Sequence, residues 1–120
     1  MSEQRRHLRL PVESRTFIET VSPLVGKSGT GHLVTCKTMN ISRGGLQVAL
    51  TEEVTVGAIL QIGVDLPDAQ PLYLAGEVRW CMHNDQDKDY PWSAGFKLLN
   101  AYNSDIARWE RLIKSMEDTP

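Results

Sequence analysis

The residues best suited to binding chemistry form two clusters, and the first is a group of arginines near the N-terminus. Arg5, Arg6 and Arg9 lie in the segment RRHLR. A guanidinium carries a planar fork of donors that matches phosphate oxygens or O6 and N7 of guanine, and it can stack on a purine. In an extended segment Arg5 and Arg9 share one side, because their offset is even, and Arg6 could be a third contact if the segment is irregular. The pattern predicts a site for a compact anion, with a solvated basic tail as the alternative.

The second cluster is the segment NISRGG, which begins at Asn40 and ends at Gly45. The Asn40 carboxamide oxygen can accept hydrogen bonds from the N1 and N2 donors of guanine, and the Ser42 hydroxyl can bond to a base or a phosphate. Gly44 and Gly45 are expected to allow positive φ angles and to leave room where a ligand approaches the backbone. The same residues would also form a good hairpin turn, so the cluster predicts a turn that presents polar groups.

Length and composition restrict the class of protein. The chain has 120 residues, of which 41% are hydrophobic and 23% charged, and this is ordinary for one globular domain. A formal net charge of -2 argues against DNA or RNA as a partner, because polyanion binders are usually strongly basic. No apolar run approaches the roughly 18 residues of a membrane helix, and the basic start is not typical of a signal peptide. We therefore expect a cytoplasmic protein without membrane insertion.

The two cysteines do not indicate a metal site. Cys36 and Cys81 lie in different predicted strands, and neither has Cys or His neighbours at metal-ligand spacing. We interpret both as small buried side chains that stay reduced, and we expect no metal and no cofactor.

The body of the chain alternates between apolar and polar residues, which predicts β-strands. The alternation is clearest over residues 46–50, 60–66 and 72–80, and shorter β-rich runs cover 15–21, 32–39 and 94–99. Six strands within about 85 residues, separated by turn-rich stretches, predict a mainly β fold, a six-stranded antiparallel β-barrel.

Near the C-terminus the apolar period becomes helical. One apolar stripe is formed by Tyr102, Ile106, Trp109, Leu112, Ile113 and Met116. Asn103 or Ser104 is the predicted N-cap, and Asp105 stands where the helix dipole favours an acid. Three basic residues are expected to face solvent: Arg108, Arg111 and Lys114. The stripe predicts a helix that caps the barrel, and a partner-binding helix is the alternative.

Together the two clusters resemble the paired signature of PilZ domains, which is RxxxR followed later by [D/N]xSxxG. The likeness continues in Leu-Gln-Val after Gly45, in the strand GEVRW that ends at Trp80, and in Gly95-Phe96. It extends from about Arg5 to Met116, terminal helix included. Many family members have Asp in place of Asn40, and a neutral amide forgoes the stronger charge-assisted hydrogen bond.

The resemblance implies a split-barrel receptor for the bacterial second messenger cyclic di-GMP, which is the ligand and not a cofactor. Its implied ligand-binding residues are Arg5, Arg6, Arg9, Asn40, Ser42, Gly44, Gly45 and Trp80. Trp80 has two candidate positions. Its alternation with Leu74 and Val78 favours the core, whereas some relatives place an aromatic residue near this strand end beside the ligand.

The domain organisation that follows is a flexible basic arm over residues 1–12 and one barrel with its helix over residues 13–120. Ligand binding would order the arm and relay the signal to an unidentified protein effector, in a monomer or a ligand-dependent dimer. The alternative function is a PilZ-fold adaptor that binds only proteins and no nucleotide.

Two further function classes are disfavoured by the sequence. An enzyme that hydrolyses a phosphodiester needs a metal cluster or an acid–base pair, and no such group of Asp, Glu or His stands beside the arginines. A barrel that binds single-stranded nucleic acid needs an aromatic platform in a basic groove, which fits poorly with 7% aromatic residues and a negative net charge. We therefore expect a receptor and not an enzyme.

Overall fold

The computed structural model of the protein describes residues 15–20, 32–67 and 69–118. The predicted arm, with Arg5, Arg6 and Arg9, lies outside these residues. The described elements are the strands β1 (Arg15–Thr20), β2 (His32–Ile41), β3 (Gly45–Leu50), β4 (Ile59–Asp65), β5 (Leu72–His83) and β6 (Trp92–Leu98), and the helix α1 (Ile106–Asp118).

The six strands form a closed antiparallel barrel in the order β1-β2-β3-β6-β5-β4, in which β1 also pairs with β4. Phe17 of β1, for example, is paired with Thr35 on one side and with Gly63 on the other. Closure removes the unpaired strand edges that an open sheet would expose. The six-stranded antiparallel barrel predicted from the sequence is therefore confirmed.

The barrel interior is filled by the apolar residues of the alternating runs. Ile18, Val48, Ile62, Val64 and Val78 are fully buried. Each such side chain stabilises the fold by about 1.5–3 kcal/mol relative to an exposed position. Cys36 is also buried, and burial of its thiol raises its pKa to about 12, although a backbone hydrogen bond at Ile18 opposes the shift.

The start of α1 differs from the sequence prediction. The helix begins at Ile106, and the first intrahelical hydrogen bond runs from the Trp109 N–H to the Asp105 carbonyl at 3.0 Å. Tyr102 precedes the helix and is 94% exposed, so it is not part of the apolar stripe. Asn103 adopts a φ of 71° and Ser104 donates to the Ala101 carbonyl, so neither residue is the N-cap. A turn with a positive φ at Asn103 separates Tyr102 from the helix. The apolar spacing alone does not reveal this turn.

The rest of the stripe packs as predicted. Trp109 and Ile113 are fully buried in the same apolar cluster as the barrel core, and Ile106, Leu112 and Met116 pack against it. Arg108 was expected in solvent but is half-buried, and its guanidinium donates to the carbonyls of Gln70 and Pro71. In the described part of the chain no helix has the length and apolar character needed to cross a bilayer.

Candidate functional site

A β-bulge in β2 determines where Asn40 lies. Thr38 is paired with Val48 and Asn40 with Gln47, so the register shifts by one residue between them. A bulge inserts one extra residue, which reverses the inside–outside alternation beyond it. Thr38 points inward, where its hydroxyl hydrogen bonds to that of Thr16 at 2.7 Å, whereas Ile41 is buried and Asn40 turns to the outer face.

A second bulge, in β5, turns Trp80 to the outer face of the barrel. The register shifts between Val78 and Trp80, which is paired with Gly95. Val78 is fully buried, while both Arg79 and Trp80 are exposed, Trp80 to 36%. The core position that alternation favours for Trp80 is therefore wrong, because the extra residue of the bulge turns the indole outward.

The two bulges bring one row of residues together across four strands. Asn40 of β2 is paired with Gln47 of β3, Gln47 with Gly95 of β6, and Gly95 with Trp80 of β5. The row forms the floor of an open groove of about 280 Å³ on the outer face of the barrel. The groove is lined by Asn40, Ile41, Ser42, Gly45, Leu46, Gln47, Arg79, Trp80, Gly95 and Phe96.

Close packing in the groove depends on two glycines. A Cβ at Gly95 would overlap the indole nitrogen of Trp80, so the indole lies across the backbone of β6 only because no side chain stands there. A Cβ at Gly45 would lie 2.6 Å from the Phe96 carbonyl oxygen, which is closer than van der Waals contact permits. Gly95 therefore sets the position of the aromatic ring, and Gly45 lets the turn approach β6.

The turn of residues 40–45, which includes the end of β2 and the start of β3, is held by its own hydrogen bonds and by β6. The Gly45 carbonyl accepts from the Ser42 N–H at 2.9 Å and from the Ser42 hydroxyl at 3.3 Å, and the Gly44 carbonyl accepts from the Leu98 N–H at 2.8 Å. The expected positive φ at Gly44 and Gly45 is wrong, since Gly57 is the glycine with a positive φ among the described residues. A Cβ at Gly44 would meet open space, so neither the backbone conformation nor a close neighbour requires glycine there.

The opposite side of this turn contacts α1. The Ser42 carbonyl accepts from the indole N–H of Trp109 at 2.9 Å. The guanidinium of Arg43 donates to Oε1 of Glu117 through Nε at 3.0 Å and Nη2 at 2.6 Å. This hydrogen bond, together with the negative charge of Glu117, raises the pKa of Arg43.

The structure brings Asn40, Ser42, Gly45 and Trp80 together in the groove, whereas Gly44 is in the turn without lining it. Sequence reasoning missed Gln47 and Arg79 as site residues. Gln47 lies in the Leu-Gln-Val run, where simple alternation turns it to the outer face, but its place opposite Asn40 depends on the β2 bulge. Arg79 is turned outward by alternation with the buried Leu74 and Val78, whereas its place beside Trp80 follows from the β5 bulge, for which the sequence carries no evident signal.

The groove is mainly a hydrogen-bonding and stacking surface with one cation. Arg79 has a carboxylate neighbour, Glu77, but the closest N···O distance between them is 3.8 Å, too long for a direct hydrogen bond. Over the part of the chain that the structure describes, no group of three or more His, Cys, Asp or Glu residues is arranged to hold a metal ion. The groove offers an indole, two carboxamides and one guanidinium, so it is suited to a ligand that is aromatic, polar and anionic.

Comparison with known proteins decides the family. The family model described as PilZ domain matches residues 3–115. The chain belongs to the PilZ domain family. A solved PilZ protein, the Bacillus subtilis inhibitor of motility (MotI/DgrA), is similar in fold, with a TM-score of 0.56 and 15% sequence identity. The alignment covers 98% of this chain and 54% of that one, so this PilZ domain spans about half the length of its structural neighbour. No curated protein matches the chain significantly in sequence.

Proposed function

We propose that this PilZ domain is a receptor for cyclic di-GMP and binds it in the outer groove. The observation that carries the proposal is the row of Asn40, Gln47, Gly95 and Trp80, in which two bulges turn polar and aromatic side chains to the same face. A barrel with regular strands would bury Trp80 and Asn40, so the bulges are features that serve the outer surface. Bulges commonly re-aim a side chain beside a binding site.

The base of the ligand is proposed to stack on Trp80. The indole is supported from below by the backbone of Gly95 and is partly exposed, so it offers an aromatic face to a planar ring. Carboxamides on neighbouring strands, Asn40 and Gln47, can each accept and donate hydrogen bonds at a base edge. Guanine suits this arrangement, because it has donors at N1 and N2 beside the O6 acceptor.

The phosphates are proposed to be held by arginines. Arg79 lines the groove, and its guanidinium forms a loose ion pair with Glu77 at 3.8 Å, so most of its hydrogen-bond donors remain available to a ligand. One cation does not balance two phosphodiesters, and a volume of about 280 Å³ lies below the usual range of roughly 300–1,000 Å³ for ligand pockets. We therefore propose that Arg5, Arg6 and Arg9 complete the site when the arm covers the ligand. The ordered arm would then relay the signal to a protein effector.

The decisive experiment is a calorimetric titration of the protein with cyclic di-GMP beside GTP and cyclic GMP at moderate salt. We expect binding of cyclic di-GMP at micromolar or better affinity and at least tenfold weaker binding of the two mononucleotides, which lack the second base and phosphate. If neither heat nor chemical shift changes appear up to millimolar cyclic di-GMP, the receptor function is wrong, and a protein-binding adaptor becomes the better explanation.

A further inference from the structure

The turn of residues 40–45 is attached to two elements on opposite sides. On the barrel side the Leu98 N–H of β6 donates to the Gly44 carbonyl at 2.8 Å. On the far side two side chains of α1, Trp109 and Glu117, hold Ser42 and Arg43. Every residue of the turn is therefore within a residue or two of a contact to α1, although α1 itself does not line the groove.

The Trp109 contact is a buried hydrogen bond. Its side chain is fully buried in the barrel core, so the indole N–H has no access to bulk water. Loss of the acceptor would leave a buried donor unsatisfied, which destabilises the folded state. For this reason the N–H of a buried tryptophan usually has a hydrogen-bond partner. Because the acceptor is the Ser42 carbonyl, this bond orients the peptide group between Ser42 and Arg43.

The Glu117 contact is an exposed ion pair with two donors on one oxygen. The Arg43 side chain is 59% exposed and extends away from the groove, along α1 beside Ala107 and Lys114. Its position in the sequence, between Ser42 and Gly44, means that a restraint on its side chain also restrains the turn. Exposed pairs contribute modestly, so we assign this contact less weight than the buried bond.

We infer that Trp109 and Glu117 are positioning residues of the groove, which from α1 hold the turn in the shape that presents Asn40 and Ser42. This inference rests on the proposed function, because the shape matters only if the groove binds a ligand. Linkage then requires the reverse effect. A ligand that favours this shape of the turn must also stabilise the docked position of α1, so the helix responds to occupancy of a groove that it does not touch.

The test uses variants that remove each contact, and the unfolding free energy of each variant is measured beside its affinity, because Trp109→Phe also reduces the volume of a buried side chain. Trp109→Phe keeps an aromatic ring but removes the N–H donor, and we expect cyclic di-GMP to bind about two- to tenfold more weakly. Glu117→Gln removes the charge, and we expect about a twofold loss. Arg43→Glu should weaken binding as well, and combining it with Glu117→Arg should restore the affinity by re-forming the pair in the opposite sense.

Matched controls separate positioning from general loss of stability. Ile113→Val trims the buried face of α1 without removing either contact, and Glu53→Gln makes the same charge change far from the turn. Both should bind as the wild type does. If Ile113→Val weakens binding as much as Trp109→Phe at equal stability, the role of α1 is merely structural and the inference is wrong.

Amide exchange measured by NMR keeps this inference separable from the proposed function. In the free protein, Trp109→Phe should speed exchange of the amides at residues 42–45 relative to Ile113→Val, whether or not cyclic di-GMP binds. With saturating ligand, the wild type should show slower exchange over residues 106–118. Unchanged exchange in the turn of the free Trp109→Phe variant would overturn the inference, and a wild type that fails to bind would overturn only the receptor function.

Discussion

Trp80 combines a fixed position with an exposed aromatic face, because β6 supports its indole at Gly95. Stacking of a base on an aromatic side chain is worth about 1–3 kcal/mol, so Trp80→Ala should weaken cyclic di-GMP binding roughly five- to 150-fold. Trp80→Phe should retain part of the affinity. Titration calorimetry of both variants beside Tyr102→Ala, which removes an exposed aromatic outside the groove, checks this. Equal affinity in Trp80→Ala and wild type would place the base elsewhere.

The arginines of the arm give a second residue-scale prediction. Hydrogen bonds to charged groups are worth about 1.5–3 kcal/mol, so Arg5→Ala or Arg9→Ala should weaken binding about ten- to a hundredfold while the melting temperature stays unchanged. Ser42→Ala should cost less, since the Ser42 hydroxyl already donates within its turn. Arg15→Ala, on an exposed position of β1, is the matched control. Wild-type affinity in both arm variants would assign the phosphates to another surface.

Cys36 gives a prediction about pH. Burial raises the pKa of its thiol from 9.0 to about 12, so the folded chain holds this proton when the unfolded chain has lost it. The stabilisation by the neutral thiol is therefore complete below pH 9.0 and lost as the pH rises from 9.0 towards 12. Cys36→Ala should reduce the slope of unfolding free energy against pH in this window, measured by denaturant titration. Val34→Ala, which truncates another buried side chain of β2 that does not titrate, should leave the slope unchanged.

At the scale of elements, substitution by alanine is predicted to weaken binding at Gly95 and to have little effect at Gly44. Gly95→Ala places a methyl group where the indole of Trp80 lies, so the ring must leave β6 and ligand binding should fall nearly as far as in Trp80→Ala. Gly44→Ala meets open space and an ordinary φ, so stability and affinity should both stay close to the wild type. Tryptophan fluorescence, which should shift to the red only in Gly95→Ala, measures the displacement of the indole. An unshifted spectrum would contradict the close approach.

The same elements explain how far the sequence could be interpreted. Alternation identified the strands over residues 46–50, 60–66 and 72–80, because a closed barrel has one buried face and strand residues obey a period of two, and β-rich runs identified the other three described strands. It failed where a bulge adds a residue, because the outward position of Trp80 is the reverse of the one that alternation favours. Alternation does turn Arg79 outward, but no motif marks it as a site residue. The start of α1 was also misjudged, because Tyr102 fits the helical spacing but is excluded by the turn at Asn103. The residue types located the turn of residues 40–45. Its hydrogen bonds with Trp109 and Glu117 are tertiary contacts that no local sequence pattern encodes.

At the scale of the whole molecule, the groove is open to the outside of a barrel that has no free edge. A ligand bound there would still be exposed on its outer side. The arm carries Arg5, Arg6 and Arg9 with little apolar content before Leu8. Segments of this composition bury too little surface to offset their ordering entropy, so the sequence predicts that the free arm is mobile. Two ligand phosphates would neutralise the repulsion among the arginines and attach the arm across the turn of residues 40–45.

The proposed mechanism would join affinity and signal in the same residues, since the docked arm and its ligand would create a surface that the free protein lacks. Amide exchange with and without cyclic di-GMP tests it directly. Protection should rise over residues 4–12 and 40–45, while β4, on the far side of the closed barrel from the turn, changes little. Arg5→Ala should reduce the protection gained by the arm more than it reduces the protection gained by the turn. An arm that is fully protected in the free protein and unchanged on binding would contradict the switch, even if the ligand and its groove are as proposed.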